Sequence, residues 1–524
     1  MRKHEQIGGA ACVVAMLSAV MVGVGATRDI LTAAFFGASD SIDAFMLALS
    51  VSVCIYGILT SVIDTAFLPL YTERLKNHDS SAASLLYSVS LATSGFLIVS
   101  SAAVIVSVPY YMPLIARGFS GAKLLATERL CQALLVLVLL NGLAGLCRAV
   151  HNAHMRFTTP SFANVLVPLC ALVFLFLFRE SMGIWSLVWG TIVGALLRLT
   201  VMAPLVLAKL RQNGTRRLEG SELRALLAFA SLATPLVVSA ALTQVNAVVV
   251  QAIATSLPMG SVAVLSYADR VFQVPVNLVA LPLWTSIYPF LSRDWEGGEI
   301  TRFRDTLRWG FRVILIIVIP IAAVLFFGSK SVVGVLFMRG AFGAQAAHST
   351  SLVLSISAVG LVPVSWWYLF GRALQATRSM WMFAGVSLFN VTLNGLGCFF
   401  LSRCWGIAGI AASGSITFAI GTVLLAAMVK RRTNTIVTRE ELGLVAKVAI
   451  ATLVMVCVSL SLSRQLTETV TGAFGPQPWI SLGSWVGGAT IYVLCLFLLK
   501  VEEARTAVAR SFAWCRRLLG RCTG

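Results

Sequence analysis

Long apolar runs, each of roughly 20 residues or more and separated by short polar or basic breaks, follow one another along almost the whole chain. A helix rises about 1.5 Å per residue, so a run of this length is what a crossing of a hydrocarbon core about 30 Å thick requires. The pattern predicts about 14 helices, over residues 9–37, 42–72, 82–112, 125–151, 160–178, 183–209, 222–255, 260–292, 309–328, 346–372, 379–401, 405–429, 442–463 and 478–500. The first, second, seventh and eighth exceed one crossing and are expected to tilt, bend or project from the bilayer. The fold class is an all-α polytopic membrane protein: two pseudo-repeated six-helix lobes plus two C-terminal helices. The expected division is 1–212 for helices one to six, 213–432 for helices seven to twelve, 433–500 for the two additional helices and 501–524 for a basic tail.

The repeat rests on two similar helices. The second ends Leu68-Pro69-Leu70-Tyr71-Thr72-Glu73-Arg74 and the eighth ends Tyr288-Pro289-Phe290-Leu291-Ser292-Arg293-Asp294. Each begins with an intramembrane acid (Asp43, Asp269), carries Thr-Ser (60–61, 285–286) and closes with proline before a charged loop. They stand six helices apart in order, as a duplicated lobe requires, and transporters of this plan bind substrate where the repeats meet.

Composition narrows the class. Of 524 residues 58% are hydrophobic and 12% charged, and the mean hydropathy is +0.88. Soluble proteins carry about twice that charge fraction. The net charge of +19 is set by position rather than by a nucleic-acid partner. One set of alternate loops, including Arg216-Arg217, Arg302, Arg304, Lys430-Arg431-Arg432 and Arg516-Arg517, holds roughly 25 basic residues against about 7 in the other set. That bias expects both termini in the cytoplasm, with a retained first helix. The tail, with Trp514 among its charges, is expected on anionic membrane lipids. Eleven cysteines are scattered without a C-x-x-C pair, so neither a disulfide framework nor a metal site is expected.

The informative residues are the ionisable ones inside the spans: Arg28, Asp29, Asp43, Asp64, Arg198, Asp269 and Arg270. Arg270 lies roughly 10 residues beyond the turn at Pro258-Met259-Gly260, about 15 Å into the bilayer. A charge at that depth faces protein or water and marks a functional site, or else Asp269 and Arg270 neutralise each other and join two helices. Arg148 and Arg372 sit near cytoplasmic ends and are expected to snorkel to water. Two guanidiniums, Arg28 and Arg270, suit a phosphate or pyrophosphate, each offering a planar fork of donors, with Asp29 and Asp269 orienting them. Pro275, Pro282 and Pro289 each remove a backbone hydrogen bond, so the eighth helix is expected to bend, with Pro275 and Pro282 as hinges. Trp366-Trp367-Tyr368 reads as lipid-facing or core aromatic surface. There is no P-loop, nucleophile elbow or metal-ligand pair, so no catalytic residue, enzyme activity or cofactor is expected.

Together these pieces resemble the MurJ (MviN) family of lipid II flippases, in the multidrug/oligosaccharidyl-lipid/polysaccharide exporter superfamily. The resemblance is carried by Gly25-Ala26-Thr27-Arg28-Asp29, Phe36-Gly37-Ala38 with Asp43-Ala44-Phe45, Asn152, Arg156-Phe157 and Pro160-Ser161-Phe162. Ser266-Tyr267-Ala268-Asp269-Arg270 with Pro275, and Arg339-Gly340-Ala341-Phe342, complete it. It implies fourteen helices around a cationic cavity and a groove for the lipid tail on the last two helices. It also implies pyrophosphate contacts from Arg28 and Arg270, and a functional Asp43. Three positions depart from the family pattern. Val22 and the Ile55-Tyr56 region lack expected arginines, and Gln273 replaces an acid. The expected activity is movement of lipid II, an undecaprenyl-pyrophosphate-linked sugar, from the cytoplasmic to the periplasmic leaflet of a bacterial inner membrane by alternating access, as a monomer. The nearest alternative cargo is another undecaprenyl-linked unit, of O-antigen or exopolysaccharide. A cation–drug antiporter would prefer an acidic cavity, and a scaffold or membrane glycosyltransferase would leave Arg28 and Arg270 dispensable.

Overall fold

The computed structural model describes residues 2–76, 81–212, 220–433, 439–474 and 478–501; the basic pairs at 216–217 and 516–517, and all but the first residue of the expected tail, lie outside them. Helices take up nearly all of the described residues, which include no strand. The chain divides into two compact units, Met1–Val264 with Arg339–Gly343, and Leu265–Met338 with Ala344–Gly524.

The first unit contains α1 (Arg2–Phe36), α2 (Asp40–Val62), α3 (Leu68–Lys76), α4 (Ser81–Ile115), α5 (Gly121–Leu134), α6 (Val136–Ala153), α7 (Thr158–Met182), α8 (Trp185–Gln212) and α9 (Gly220–Ala254). Helix α2 packs against α5, α6 and α9, while α7 packs against α1 and α8. Phe67, Tyr71, Leu85, Ala149 and Met202 meet in a buried apolar core, where Phe67 stacks on Tyr71 with ring centroids 5.2 Å apart. The loop at 339–343 closes on the end of α1. The Ala341 amide donates to the Ala34 carbonyl at 2.7 Å, and Gly37 and Gly340 take positive φ of 60° and 57° there. A Cβ on Gly340 would stand 2.3 Å from the Ala34 carbonyl oxygen, and one on Gly37 2.4 Å from that of Ala341. Only glycine permits this approach.

The second unit takes up α10 (Ser261–Pro275) after its first turn, then α11 (Leu281–Glu296), α12 (Ile300–Phe327), α13 (Ser329–Phe337), α14 (Ala344–Val359), α15 (Leu361–Ala376), α16 (Met380–Thr433), α17 (Arg439–Phe474) and α18 (Pro478–Leu498). Helices α17 and α18 form a hairpin that packs on α12 through Leu315, Val448, Met455 and Trp485. The Tyr492 hydroxyl donates to the Ile316 carbonyl at 2.7 Å. The helical partner of that carbonyl would be residue 320, which is proline and has no N–H, so Tyr492 supplies the missing donor.

Twelve helices among the described residues are long and apolar enough to cross a membrane, and the pair α14 and α15, bent by 43°, makes a thirteenth. Helix α16 counts once in that number, yet its 54 residues extend far beyond one bilayer. Gly406, at φ 56° and ψ −133°, breaks it into two limbs that are each long enough for a crossing. Fourteen crossings result, as the apolar pattern predicts. Helix α13, with nine residues, was not expected and is too short to cross.

The repeat register differs from the expected one. A π-helical turn, Ile63–Phe67, separates α2 from α3, and another, Val276–Ala280, separates α10 from α11. Leu-Pro-Leu follows each, at 68–70 and 281–283. Proline as the second residue after the turn cannot donate back four residues, and the wider turn absorbs that loss. Pro69 therefore corresponds to Pro282 rather than to Pro289. Seven residues before each turn stand Tyr56 and Asp269, so the pairing of Asp43 with Asp269 does not hold.

Candidate functional site

In the first unit, Arg28 lies eight residues before the end of α1, about 12 Å from it along the axis. Both its Nε and Nη2 donate to one carboxylate oxygen of Asp29, at 3.0 and 2.7 Å. The Thr32 hydroxyl closes on the Arg28 carbonyl at 2.8 Å. Asp29 thus orients the guanidinium and offsets the cost of its charge, and both side chains are largely sheltered.

Asp43 is 1% exposed. Its carboxylate accepts from the Gly260 amide at 2.8 Å and the Ala263 amide at 2.9 Å, and so caps the start of α10 from α2. The Lys123 ammonium of α5 donates to it at 3.0 Å and to Asp40 at 2.5 Å, and lies 3.9 Å from the centroid of the Phe119 ring. A carboxylate at a helix N-terminus meets unpaired N–H groups and the positive end of the dipole. Those bonds give Asp43 a structural account of its own.

Two further clusters lie inside the first unit's spans. Arg148, expected to snorkel, donates to Asp64 of the π-helical turn at 2.7 Å, and both side chains stay partly exposed. Arg198, near the middle of α8, donates to the buried Asn141 amide oxygen on α6. Neither pairing shows in the sequence, because the partners are 84 and 57 residues apart.

In the second unit, Arg270 lies nine residues into α10, about 14 Å along it. Arg270 is half-buried, and its neighbour Asp269 is exposed and accepts from the Gln273 amide at 3.3 Å, an i,i+4 pair on one face. Charged and amide groups on one face at this depth line a wet surface rather than lipid. Pro275 closes α10 at the π-helical turn, and Pro282 stands at the first turn of α11. Tyr368 lies within electrostatic reach of both Asp269 and Arg372, and its ring lies 4.1 Å from that of Trp284. Arg372 donates to Gln375 at 2.9 Å and faces the Tyr288 ring at 5.5 Å. Tyr368 thus lies beside Asp269 and Arg372 beside Tyr368, a link that sequence reading missed; the i,i+4 spacing of Tyr368 and Arg372 was the available signal. Trp366 stacks on Phe311 at 4.5 Å and Trp367 is buried, so both belong to the core.

A multi-pass helical chain with arginines and acids at membrane depth is a membrane transporter in class. Its fold matches a solved lipid II flippase MurJ in an inward closed conformation, with a TM-score of 0.78 at 18% identity, covering 95% of this chain and all of that one. It also matches an inward-facing multidrug resistance MATE family transporter of the MOP superfamily, with a TM-score of 0.67 at 11% identity over 79% of this chain and 94% of that one. Residues 32–477 match the family described as Lipid II flippase MurJ, and the chain belongs to that family. Among relatives, the "Probable lipid II flippase MurJ" of Buchnera aphidicola subsp. Acyrthosiphon pisum is 25% identical, covering 94% of this chain and 96% of its own length. The "Lipid II flippase MurJ" of Burkholderia cenocepacia is 24% identical, over 78% of this chain and 81% of its own.

Proposed function

We propose that this protein moves lipid II from the cytoplasmic to the periplasmic leaflet of a bacterial inner membrane, for cell-wall synthesis, by alternating access. The family match over residues 32–477 carries the reading. The arginines at membrane depth fit it, since an undecaprenyl-linked pyrophosphate is an anion that must pass through an apolar layer. Arg28, oriented by Asp29, and Arg270, beside Asp269 and Gln273, bind the pyrophosphate. Asp43 acts by holding the first turn of the helix that carries Arg270.

In this reading the lobes 1–212 and 213–432 rock about the substrate, Pro275 and Pro282 serve as hinges, and the helices within 433–500 guide the lipid tail. Both termini are cytoplasmic, the basic tail rests on anionic lipids and the protein works as a monomer. Movement of one charge through the field is worth about 2.3 kcal/mol per 100 mV, enough to bias the cycle. The test is complementation of a flippase-depleted strain, read together with lipid II accessibility at the outer leaflet. Arg28→Ala and Arg270→Ala should each insert normally and fail to restore growth or outer-leaflet lipid II. Normal growth with a well-inserted double variant refutes the reading, and rescue of a polysaccharide-export defect instead would reassign the cargo.

A further inference from the structure

Arg198 has no role in the scheme above. It stands 13 residues after Trp185, about 20 Å along α8 and so at membrane depth. Asn141 takes one of its donors, and its buried Nε has no hydrogen-bond partner among the described residues. Arg28 and Arg148 each have a carboxylate in contact, whereas the contact of Arg198 is a neutral amide. Tyr56 on α2 and Arg148 on α6 lie within electrostatic reach of it. Two guanidiniums, one carboxylate (Asp64), a phenol and an amide therefore share one region of the first unit, with a formal surplus of one positive charge. If Arg198 only joined α6 to α8, a neutral donor to Asn141 would do so without the cost of placing a cation in the bilayer. Two guanidinium forks and a phenol are donors suited to phosphate oxygens.

We propose that Arg198, with Arg148 and Tyr56, forms a second anion subsite that takes a phosphate of the lipid-linked substrate, separate from Arg28. It lies wholly within the first unit and deepens the flippase reading, on which its substrate rests. Its position fits the repeat register, because Tyr56 occupies the place that Asp269 holds in the second unit.

The test is binding of lipid II and of undecaprenyl pyrophosphate to the full chain in nanodiscs, with phosphatidylglycerol as competitor. Arg198→Gln keeps a donor for Asn141 but removes the charge, and Arg198→Lys keeps the charge. The glutamine variant should bind both probes about tenfold more weakly, the loss of one charge-assisted hydrogen bond, while the lysine variant stays within about threefold and both melt like wild type. Unchanged binding by Arg198→Gln overturns the proposal. So does an equal loss in both variants together with a lower Tm, the mark of a helix joint. Displacement of either probe by phosphatidylglycerol at equal concentration would make this a bulk-lipid site and also overturns it. Should wild type bind undecaprenyl pyrophosphate but not lipid II, the cargo assignment fails alone, and the Gln–Lys comparison on undecaprenyl pyrophosphate still decides the subsite.

Discussion

Replacing Asp43 by alanine tests the cap that starts α10. The carboxylate is 1% exposed and accepts from two backbone amides, at 2.8 and 2.9 Å, and from Lys123 at 3.0 Å. Loss of a helix-capping side chain costs about 1 kcal/mol, and each buried donor left without a partner costs about 1–3 kcal/mol. Stripping a buried ion pair of one member reaches about 3–5 kcal/mol. Here that last cost is reduced, because Asp40 remains 2.5 Å from the ammonium and is half exposed to water. About 3 kcal/mol is the expected total. At roughly 2–4 °C per kcal/mol for a unit of this size, Tm in nanodiscs should fall by about 6–12 °C. Asp40→Ala, which removes an exposed partner, should cost under about 1 kcal/mol. In Asp43→Ala/Lys123→Met no ammonium is stranded, so the double variant should recover about 1 kcal/mol relative to the sum of the singles. An Asp43→Ala protein that melts within about 2 °C of wild type, or a strictly additive cycle, would refute this account of the cap.

Tyr492→Phe should lower stability by about 1–2 kcal/mol in wild type but by little in a Pro320→Ala background, where residue 320 regains an N–H for the Ile316 carbonyl; equal losses in both backgrounds, read by thermal melting, would remove Pro320 from the explanation. Gly340→Ala and Gly37→Ala should each cost about 1–3 kcal/mol, since each Cβ meets a carbonyl oxygen at under 2.5 Å and each φ is positive. Their effects on Tm should fall short of additive, because both release the same contact between α1 and the loop at 339–343.

Much of the fold was legible in the apolar runs, because every crossing helix must satisfy its own backbone and present apolar side chains to lipid. The runs at 379–401 and 405–429 even separate the two limbs that Gly406, with its non-helical backbone, breaks apart. Helix α13 was missed because nine residues carry no membrane-length signal. The repeat was placed seven residues out of register, since Pro289, like Pro69, stands shortly before a charged loop. The shared Leu-Pro-Leu at 68–70 and 281–283 was the available signal, and the π-helical turn before each, which has no sequence period of its own, sets the register. Of the site residues, Arg28 with Asp29 was readable because adjacent residues can meet on any helix, whereas Asp269, expected to orient Arg270, accepts from Gln273, an i,i+4 neighbour that was not paired with it.

The sequence by itself determined the class, the crossing segments and which charged residues lie at membrane depth, since burial of apolar surface and the cost of charge in hydrocarbon act on local stretches of chain. Tertiary structure decided the partners. Asp43 reaches α10 more than 200 residues away, Arg148 meets Asp64, and Arg198 donates to the amide of Asn141. Those pairings depend on which helices lie side by side, and no local pattern encodes that. The physical environment of Asp43, Arg148 and Arg198 therefore became visible only when the helices were packed.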